Sequence, residues 1–194
     1  KFDEIGKPCF SSNVYKKTER RAVMKMEELV KRAKRGDPSA FAELIRLCTQ
    51  SMYRVAWAYL GNDEDVADAI SETVLMCYEK IETLKKDAYF KTWMIRILIN
   101  QCKDILKHRS RIQSKAEMQE SAFEDSGYID CEWKEVLSCL DEKYRIILLL
   151  YYTREMDTRE IAELLDISRN TVTTRLTRGR ELLKRELEGG KIYG

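Results

Sequence analysis

Thr158–Arg185 reads TREIAELLDISRNTVTTRLTRGRELLKR, and this stretch decides the fold. Its first half predicts a short helix, because apolar residues recur at spacings of three and four: Ile161, Ala162, Leu164 and Leu165. Asp166–Ser168 interrupts the pattern, and the Ser168 hydroxyl is suited to cap a second helix by accepting from a free amide of its first turn. The second helix has one apolar face, made of Val172, Leu176, Gly179 and Leu183. The stretch therefore predicts two helices joined by a tight turn.

The rest of the second helix carries short hydroxyls, an amide and arginines. Opposite the apolar face lie Asn170, Thr174, Thr177 and Arg178, with Thr171, Thr173 and Arg175 on the flanks. Arginine can donate two hydrogen bonds to a guanine edge, and threonine offers both a hydroxyl and a methyl group. Six basic residues oppose one acid between Arg169 and Arg185. Together these features favour a helix-turn-helix that enters the major groove of DNA. The alternative is an ordinary amphipathic helix with a solvated basic face.

Length and composition favour an all-α fold made of two small helical domains. The chain has 194 residues, of which 44% are hydrophobic and 35% charged, with only eight Gly and two Pro. Few glycines and prolines argue against β-rich or disordered architectures. The sequence has neither an apolar run of about eighteen residues nor a signal-peptide pattern, so we expect a cytoplasmic protein.

The cysteines do not predict a metal site. The chain has six cysteines without a C-x-x-C pair, and His108 is its one histidine. Structural zinc sites generally need four closely spaced Cys or His ligands. Cys48, Cys77 and Cys102 fall at apolar positions of helical patterns and are expected in the core, and disulfides are not expected in a reducing compartment. We expect no metal or cofactor.

A first helical domain is predicted over residues 24–111. It follows a polar, basic leader, residues 1–23, which is interpreted as a poorly ordered extension, an expression remnant or the result of a misplaced start codon. A helical pattern begins at Met26. Asp37-Pro38 then predicts the capped start of a long helix that reaches about Leu60. A third helix is predicted from Asp63 to Leu84 and carries a ridge of acids: Asp65, Asp68, Glu72 and Glu79. The ridge is interpreted either as a docking surface for a basic partner or as a solvated face.

A second basic surface is predicted on the helix from Thr92 to Lys107. Spacings of three and four align Trp93, Arg96, Asn100, Lys103 and Lys107. Residues 85–111 hold eight basic residues against two acids. Basic charge follows phosphates, and aromatic rings stack on exposed bases, so the surface suits single-stranded or melting DNA. The alternative places Trp93 in the core and leaves the cations solvated.

The C-terminal part is predicted to be a separate helical domain. Residues 112–131 form an acidic linker, residues 132–188 the helix-turn-helix domain, and residues 189–194 a tail. Within this domain Leu140–Tyr152 is almost entirely apolar. A helix of that composition must be buried by the elements around it.

Several separate motifs, in order, resemble one known family. They are Gly36-Asp37-x-x-Ala40-Phe41, Asp65-x-x-Asp68-x-x-x-Glu72, Phe90-x-x-Trp93-x-x-x-Ile97-x-x-Asn100, Leu140-x-x-x-Tyr144-Arg145, Glu160-Ile161-Ala162 and Thr171-Val172-x-x-Arg175-Leu176-x-Arg178-x-Arg180. Over Met26–Leu187 the chain is similar to the bacterial extracytoplasmic-function (ECF, group IV) sigma factors of RNA polymerase. It departs from the family pattern at Ser71, where a glutamine is usual.

The resemblance implies a role for each surface. Core polymerase would bind through its β′ clamp at Asp65, Asp68, Ser71 and Glu72, and through its β flap. The duplex minus-thirty-five element would meet Thr171, Thr173, Thr174, Arg175, Thr177, Arg178 and Arg180, with Arg175 and Arg180 on phosphates. The melted minus-ten element would meet Lys85, Lys86, Asp87, Tyr89, Phe90, Trp93, Arg96, Asn100 and Lys103. An anti-sigma factor is implied as a further partner, whereas a small-molecule substrate or a membrane-embedded segment is not.

Two other classes of protein fit the sequence less well. A dimeric helix-turn-helix regulator of duplex DNA would not need the second basic surface at Trp93–Lys107. An enzyme acting on nucleic acid is disfavoured, because the sequence lacks a phosphate-binding glycine loop and a metal-ligand cluster.

Overall fold

The computed structural model describes residues 13–113, 134, 137–153 and 156–188. Seven α-helices lie within these ranges: α1 Asn13–Lys34, α2 Pro38–Leu60, α3 Asp63–Lys80, α4 Phe90–Gln113, α5 Glu142–Thr153, α6 Thr158–Leu165 and α7 Arg169–Glu188. Short 3₁₀ turns, Ile81–Thr83 and Asp87–Tyr89, connect α3 to α4. Since the described ranges contain helices and turns without a β-strand, the predicted all-α fold is confirmed. Except for its first two residues, the predicted linker lies outside the described residues, as does the tail.

Four predicted helix bounds, on three helices, are wrong. The first helix begins at Asn13 rather than Met26, so residues 13–23 are helical. Lys, Arg and Glu are good helix formers even where apolar periodicity is missing, which explains the error. The third helix ends at Lys80 and gives way to a 3₁₀ turn, whereas α4 extends the predicted Thr92–Lys107 helix at both ends.

The ends of α2 form as its flanking residues predict. The Asp37 carboxylate accepts hydrogen bonds from the amides of Ser39 at 3.0 Å and Ala40 at 3.1 Å. Pro38 occupies the first helical position, where its missing amide costs no hydrogen bond. At the other end Gly61 adopts φ 71°, a left-handed conformation, and its amide donates to the Trp57 carbonyl. The next residue, Asn62, caps α3.

Helices α1 to α4 surround one apolar core. Its fully buried side chains include Val30 from α1, Leu44 and Met52 from α2, and Met94 and Leu98 from α4. The predicted core cysteines Cys48, Cys77 and Cys102 are buried here as well. Burial raises the pKa of the Cys77 and Cys102 thiols to about 12, so both stay protonated at neutral pH.

Helices α5, α6 and α7 form the C-terminal unit. Val172 and Leu176 are buried, as the apolar face of α7 predicts. Gly179 allows the closest approach of α7 to α5, because a Cβ atom at this position would lie 2.9 Å from Leu148 Cδ1. Helix α5 also packs against α2 of the first unit, so the two helical units are in contact.

Candidate nucleic-acid interface

Local hydrogen bonds fix the start of α6 and the start of α7. Asp157 accepts from the Arg159 and Glu160 amides at 2.7 and 2.9 Å, while its own amide donates to the Glu160 carboxylate at 2.8 Å. The amide of Glu160 is the main cause that lowers the pKa of the Asp157 carboxyl. Helix α6 ends at Asp166, whose φ of 57° is left-handed. Ser168 Oγ accepts from the Thr171 amide at 3.1 Å, which confirms the predicted cap.

This geometry exposes one face of α7. The exposed residues are Asn170, Thr173, Thr174, Thr177 and Arg178, whereas Thr171 and Arg175 are half-buried on the flanks. Two of the hydroxyls are already engaged: Thr171 Oγ1 lies 2.8 Å from Ser168 Oγ, and Thr173 Oγ1 donates to the Arg169 carbonyl at 3.0 Å. Asn170, Thr174, Thr177 and Arg178 are the other exposed donors and acceptors on this face.

Arg180 does not belong to that exposed face. Its Nε donates to the Tyr152 hydroxyl at 2.8 Å, and its guanidinium lies 5.2 Å from the centre of the Tyr151 ring and 5.5 Å from that of Tyr152. These tyrosines hold the side chain against α5, and the phosphate contact of Arg180 stays a prediction. Sequence alone gave no signal for this, since the partners lie 28 residues apart.

The second surface lies on α4 and on the turn before it. The structure exposes Lys85, Lys86, Tyr89, Arg96, Asn100 and Lys103, as the minus-ten assignment requires. Trp93 is half-buried, with its ring centre 6.0 Å from that of Phe90. Phe90 is fully buried and packs against Trp93, and its contact with DNA stays a prediction.

Asp87 forms contacts within the protein. Lys34 Nζ donates to Asp87 Oδ1 and to the Leu84 carbonyl, both at 2.6 Å. The side chain of Asp87 is only 20% exposed and braces the turn, and its contact with DNA stays a prediction. The sequence did not point to Lys34, because it lies 53 residues before its carboxylate partner.

The acidic ridge on α3 contains both exposed residues and a residue that forms contacts within the protein. Asp68, Ser71 and Glu72 are exposed. Asp65 instead pairs with Arg109 at 3.0 Å and accepts from Asn62 Nδ2 at 3.0 Å, which leaves its side chain 19% exposed.

Two large apolar side chains on α3 were missed. Leu75 is 51% exposed and Tyr78 is 58% exposed, and they follow Ser71 and Glu72 at helical spacings. Both residues lie off the face of α3 that carries the buried Val66, Ala69 and Cys77, and this position is the sequence signal that could have identified them as exposed. The acidic ridge therefore continues into an apolar patch.

Among the described residues, there is no group of three or more His, Cys, Asp or Glu side chains that could hold a metal ion. A helix long and apolar enough to cross a membrane is likewise missing from the described part of the chain.

Comparison with known proteins matches the two units separately. Residues 44–112 match the family model of sigma-70 region 2, and residues 132–183 match that of sigma-70 region 4. The RNA polymerase sigma factor SigV of Bacillus subtilis is 30% identical over 142 residues, which cover 71% of this chain and 85% of SigV. The ECF sigma factor SigW of the same organism is 27% identical over 183 residues, covering 84% and 97%. The chain belongs to the ECF sigma factors of RNA polymerase. It is thus a transcription initiation factor.

Two solved structures share the fold of this sigma factor. CnrH, in complex with the cytosolic domain of CnrY, superposes with a TM-score of 0.61 at 21% identity, covering 85% of this chain and 98% of CnrH. RpoE from Bartonella quintana, in complex with the anti-sigma factor NepR, gives 0.65 at 18% identity, covering 76% and 96%. At these identities the likeness concerns the fold, which consists of two helical domains.

Proposed function

We propose that this group IV sigma factor reads two promoter elements with the two basic surfaces, one on each helical unit. The observation that supports this is the pair of exposed, DNA-type faces on α4 and α7 in units that match regions 2 and 4. On α7, Thr174, Thr177 and Arg178 would contact base edges of the duplex minus-thirty-five element. Arg175, on the flank, would contact a phosphate, which orients the helix without reading sequence.

The α4 surface would hold the melted minus-ten strand. Trp93 offers a half-buried ring for base stacking, worth about 1–3 kcal/mol per base, and Arg96, Asn100 and Lys103 line the same helix. The turn before α4, with Lys85, Lys86 and Tyr89 exposed, would receive an unstacked base. Base extrusion costs a few kcal/mol, which these contacts must offset.

Core polymerase would bind the acidic face of α3. Asp68, Ser71 and Glu72 are exposed there and suit a basic clamp helix of the β′ subunit, and the C-terminal unit would meet the β flap. Affinity for the promoter would come mainly from phosphates and from polymerase, whereas specificity would lie in the two short base-reading patches.

The action proposed is binding without catalysis, in the cytoplasm, under the control of an anti-sigma factor. Support for the last point comes from RpoE, which was solved with the anti-sigma factor NepR, and from CnrH, which was solved with the cytosolic domain of CnrY. A protein that covers either the α3 face or the two basic faces would stop initiation.

The test of this proposal is co-purification with core polymerase. The Asp68→Arg, Glu72→Arg variant reverses two exposed charges on α3, and Glu28→Arg, Glu82→Arg reverses two exposed charges elsewhere in the same unit. We expect wild type and the control to bind stoichiometrically and to direct promoter-specific transcription, and the α3 variant to lose both. If the wild type instead fails to bind polymerase but shifts a palindromic duplex as a dimer, the regulator alternative is correct.

A further inference from the structure

One ion pair joins the acidic helix α3 to the last turns of α4. Arg109 Nε lies 3.0 Å from Asp65 Oδ2, and the side chain of Asp65 is 19% exposed. Asn62 Nδ2 donates to the same carboxylate oxygen at 3.0 Å, while the Asp65 amide donates to Asn62 Oδ1 at 2.9 Å. The carboxylate of Asp65 is therefore held by the cap of α3 and engaged by a cation of α4.

Asp65 differs in this respect from the other acids assigned to the polymerase clamp. Asp68 and Glu72 are exposed on α3, whereas Asp65 is mostly covered. A basic clamp helix could bind Asp65 only in competition with the guanidinium of Arg109, which already occupies the carboxylate. Asp65 is thus less suited to a polymerase contact than its exposed neighbours.

The part of α4 that carries Arg109 has little other attachment to the core. None of the described residues 103–111 is buried, and Ile105 and Leu106 are the half-buried apolar side chains among them. Helices in proteins are held in place mainly by tertiary packing. Because apolar packing is sparse here, the pair between Asp65 and Arg109 contributes directly to the position of this end against α3.

This end of α4 also carries cations that the minus-ten assignment does not include. Lys107 and Arg111 are exposed and follow Lys103 at spacings of four. At 100° per residue, all three lie within an arc of about 80° on the helix. Arg111 lies about 12 Å beyond Lys103 along the helix axis, which is the length of about three to four base pairs of duplex. Cations in such a row suit the phosphate backbone of DNA.

We propose that Asp65 is a positioning residue for promoter DNA. Through Arg109 it fixes the end of α4, so that Lys107 and Arg111 meet phosphates of the duplex next to the melted minus-ten strand. The ligand is the backbone of double-stranded DNA, and these contacts carry no sequence information. The inference rests on the proposed function, since it adds a duplex contact to the strand-binding surface of α4. It replaces the clamp contact that the family resemblance implies for Asp65.

The first experiment makes the same substitution at two neighbouring acids of α3. Asp65→Asn keeps the shape of the side chain but removes the charge that binds Arg109, and Asp68→Asn is the matched change at an exposed position. We expect Asp65→Asn to bind core polymerase within about twofold of wild type, while its holoenzyme binds fork DNA about threefold to fivefold more weakly, as for one half-exposed ion pair. Asp68→Asn should mainly weaken polymerase binding. The Asp68 pattern at Asp65 would overturn the inference.

The second experiment tests whether Asp65 acts through Arg109. Fork binding by holoenzyme, at saturating polymerase, is measured for Asp65→Asn, Arg109→Gln and the double variant. The double variant should bind no more weakly than Arg109→Gln alone, because residues that act as a pair give non-additive losses. If the losses add in a double variant that remains helical by circular dichroism, Asp65 acts independently of Arg109 and the inference is wrong.

The third experiment identifies the ligand by its salt dependence. Lys107→Gln, Arg111→Gln is compared with Lys80→Gln, which alters an exposed lysine at the end of α3. On a fork with duplex beside the melted strand, the slope of log affinity against log salt should fall by about 1.8 for the double variant and stay unchanged for the control. On the unpaired strand alone, both variants should match wild type. An unchanged slope on the fork, or an equal change on both DNAs, would overturn the duplex contact.

The outcomes separate this inference from the function beneath it. If wild-type holoenzyme reads the promoter and Asp65→Asn binds fork DNA as well as wild type does, the positioning role is wrong and the proposed function stands. If wild type does not bind core polymerase at all, the proposed function is wrong, and with it the role assigned to Asp65.

Discussion

Lys34 Nζ lies 2.6 Å from Asp87 Oδ1 and joins the end of α1 to the turn before α4. The same ammonium donates to the Leu84 carbonyl, so one side chain fixes the turn at two points. Both partners of the ion pair are about four-fifths covered. The shape of the turn proposed to receive a flipped base is therefore set by a residue that does not face the DNA.

Lys34→Met tests this brace. It keeps the aliphatic stem but removes the ammonium, leaving the Asp87 carboxylate and the Leu84 carbonyl without their shared donor. We expect holoenzyme binding to a fork DNA with an unpaired minus-ten strand to weaken by at least about tenfold, since a hydrogen bond to a charged group contributes about 1.5–3 kcal/mol. Fluorescence anisotropy would measure this, with the exposed Lys31→Met as control. Equal affinities for the two variants would contradict the bracing role.

Arg178 is expected to discriminate between bases. It is exposed on α7, and replacing a bidentate base contact costs about 1–3 kcal/mol of discrimination against the wrong base. Arg178→Ala should therefore lower the preference of holoenzyme for a cognate over a mutated minus-thirty-five duplex. Arg185→Ala, at the exposed end of the same helix, should at most weaken both duplexes alike. If only the Arg185→Ala variant lost its preference for the cognate duplex, Arg178 would not be the residue that discriminates between bases.

Arg180 is expected to act through stability. Arg180→Met breaks the hydrogen bond to Tyr152 and the stacking on both tyrosines, and should lower the free energy of unfolding by about 1–2 kcal/mol. Urea denaturation followed by circular dichroism would measure this loss. A phosphate contact would instead show in the salt dependence of duplex binding, whose slope should fall by about one for Arg175→Met and stay unchanged for Arg180→Met. A reduced slope for Arg180→Met would restore the phosphate role.

Asp157 should make the stability of the helix-turn-helix depend on acid pH. Its folded-state pKa is lowered by the amide of Glu160, so the unfolded chain binds the proton more readily than the folded one. The stabilisation is therefore present above the unfolded pKa, near 3.9, and lost as the pH falls through the lower folded value. Asp157→Asn keeps a capping oxygen that does not titrate, so its melting temperature should fall less steeply below pH 4 than that of wild type. Parallel curves would show that this cap does not contribute to acid sensitivity.

Local sequence was sufficient to predict how the helix ends are capped and which face of α7 is exposed. Asp37, Gly61 and Ser168 act on amides or carbonyls within four residues, so their roles follow from neighbouring positions. The fold class and the burial of Cys48 likewise follow from composition and periodicity.

Long-range contacts account for what sequence did not predict. The resemblance implies DNA contacts for Phe90, Asp87 and Arg180, yet each side chain either packs in the core or pairs with a residue of another helix. The packing of α2 against α5 was not predicted from the sequence for the same reason. The apolar sequence of α5 predicts that the helix is buried, but it does not identify the helix against which α5 packs.

The accessible face of α7 stands apart from the residues that hold the fold together. Thr174, Thr177 and Arg178 are exposed, whereas Val172 and Leu176 beneath them are buried. Exposed substitutions of this kind usually change stability by no more than about 0.5 kcal/mol. Over evolutionary time, copies of such a gene can therefore acquire new target promoters through changes at three positions while the scaffold is inherited intact. Divergence of regulons after gene duplication would need few mutations and would pass through folded intermediates.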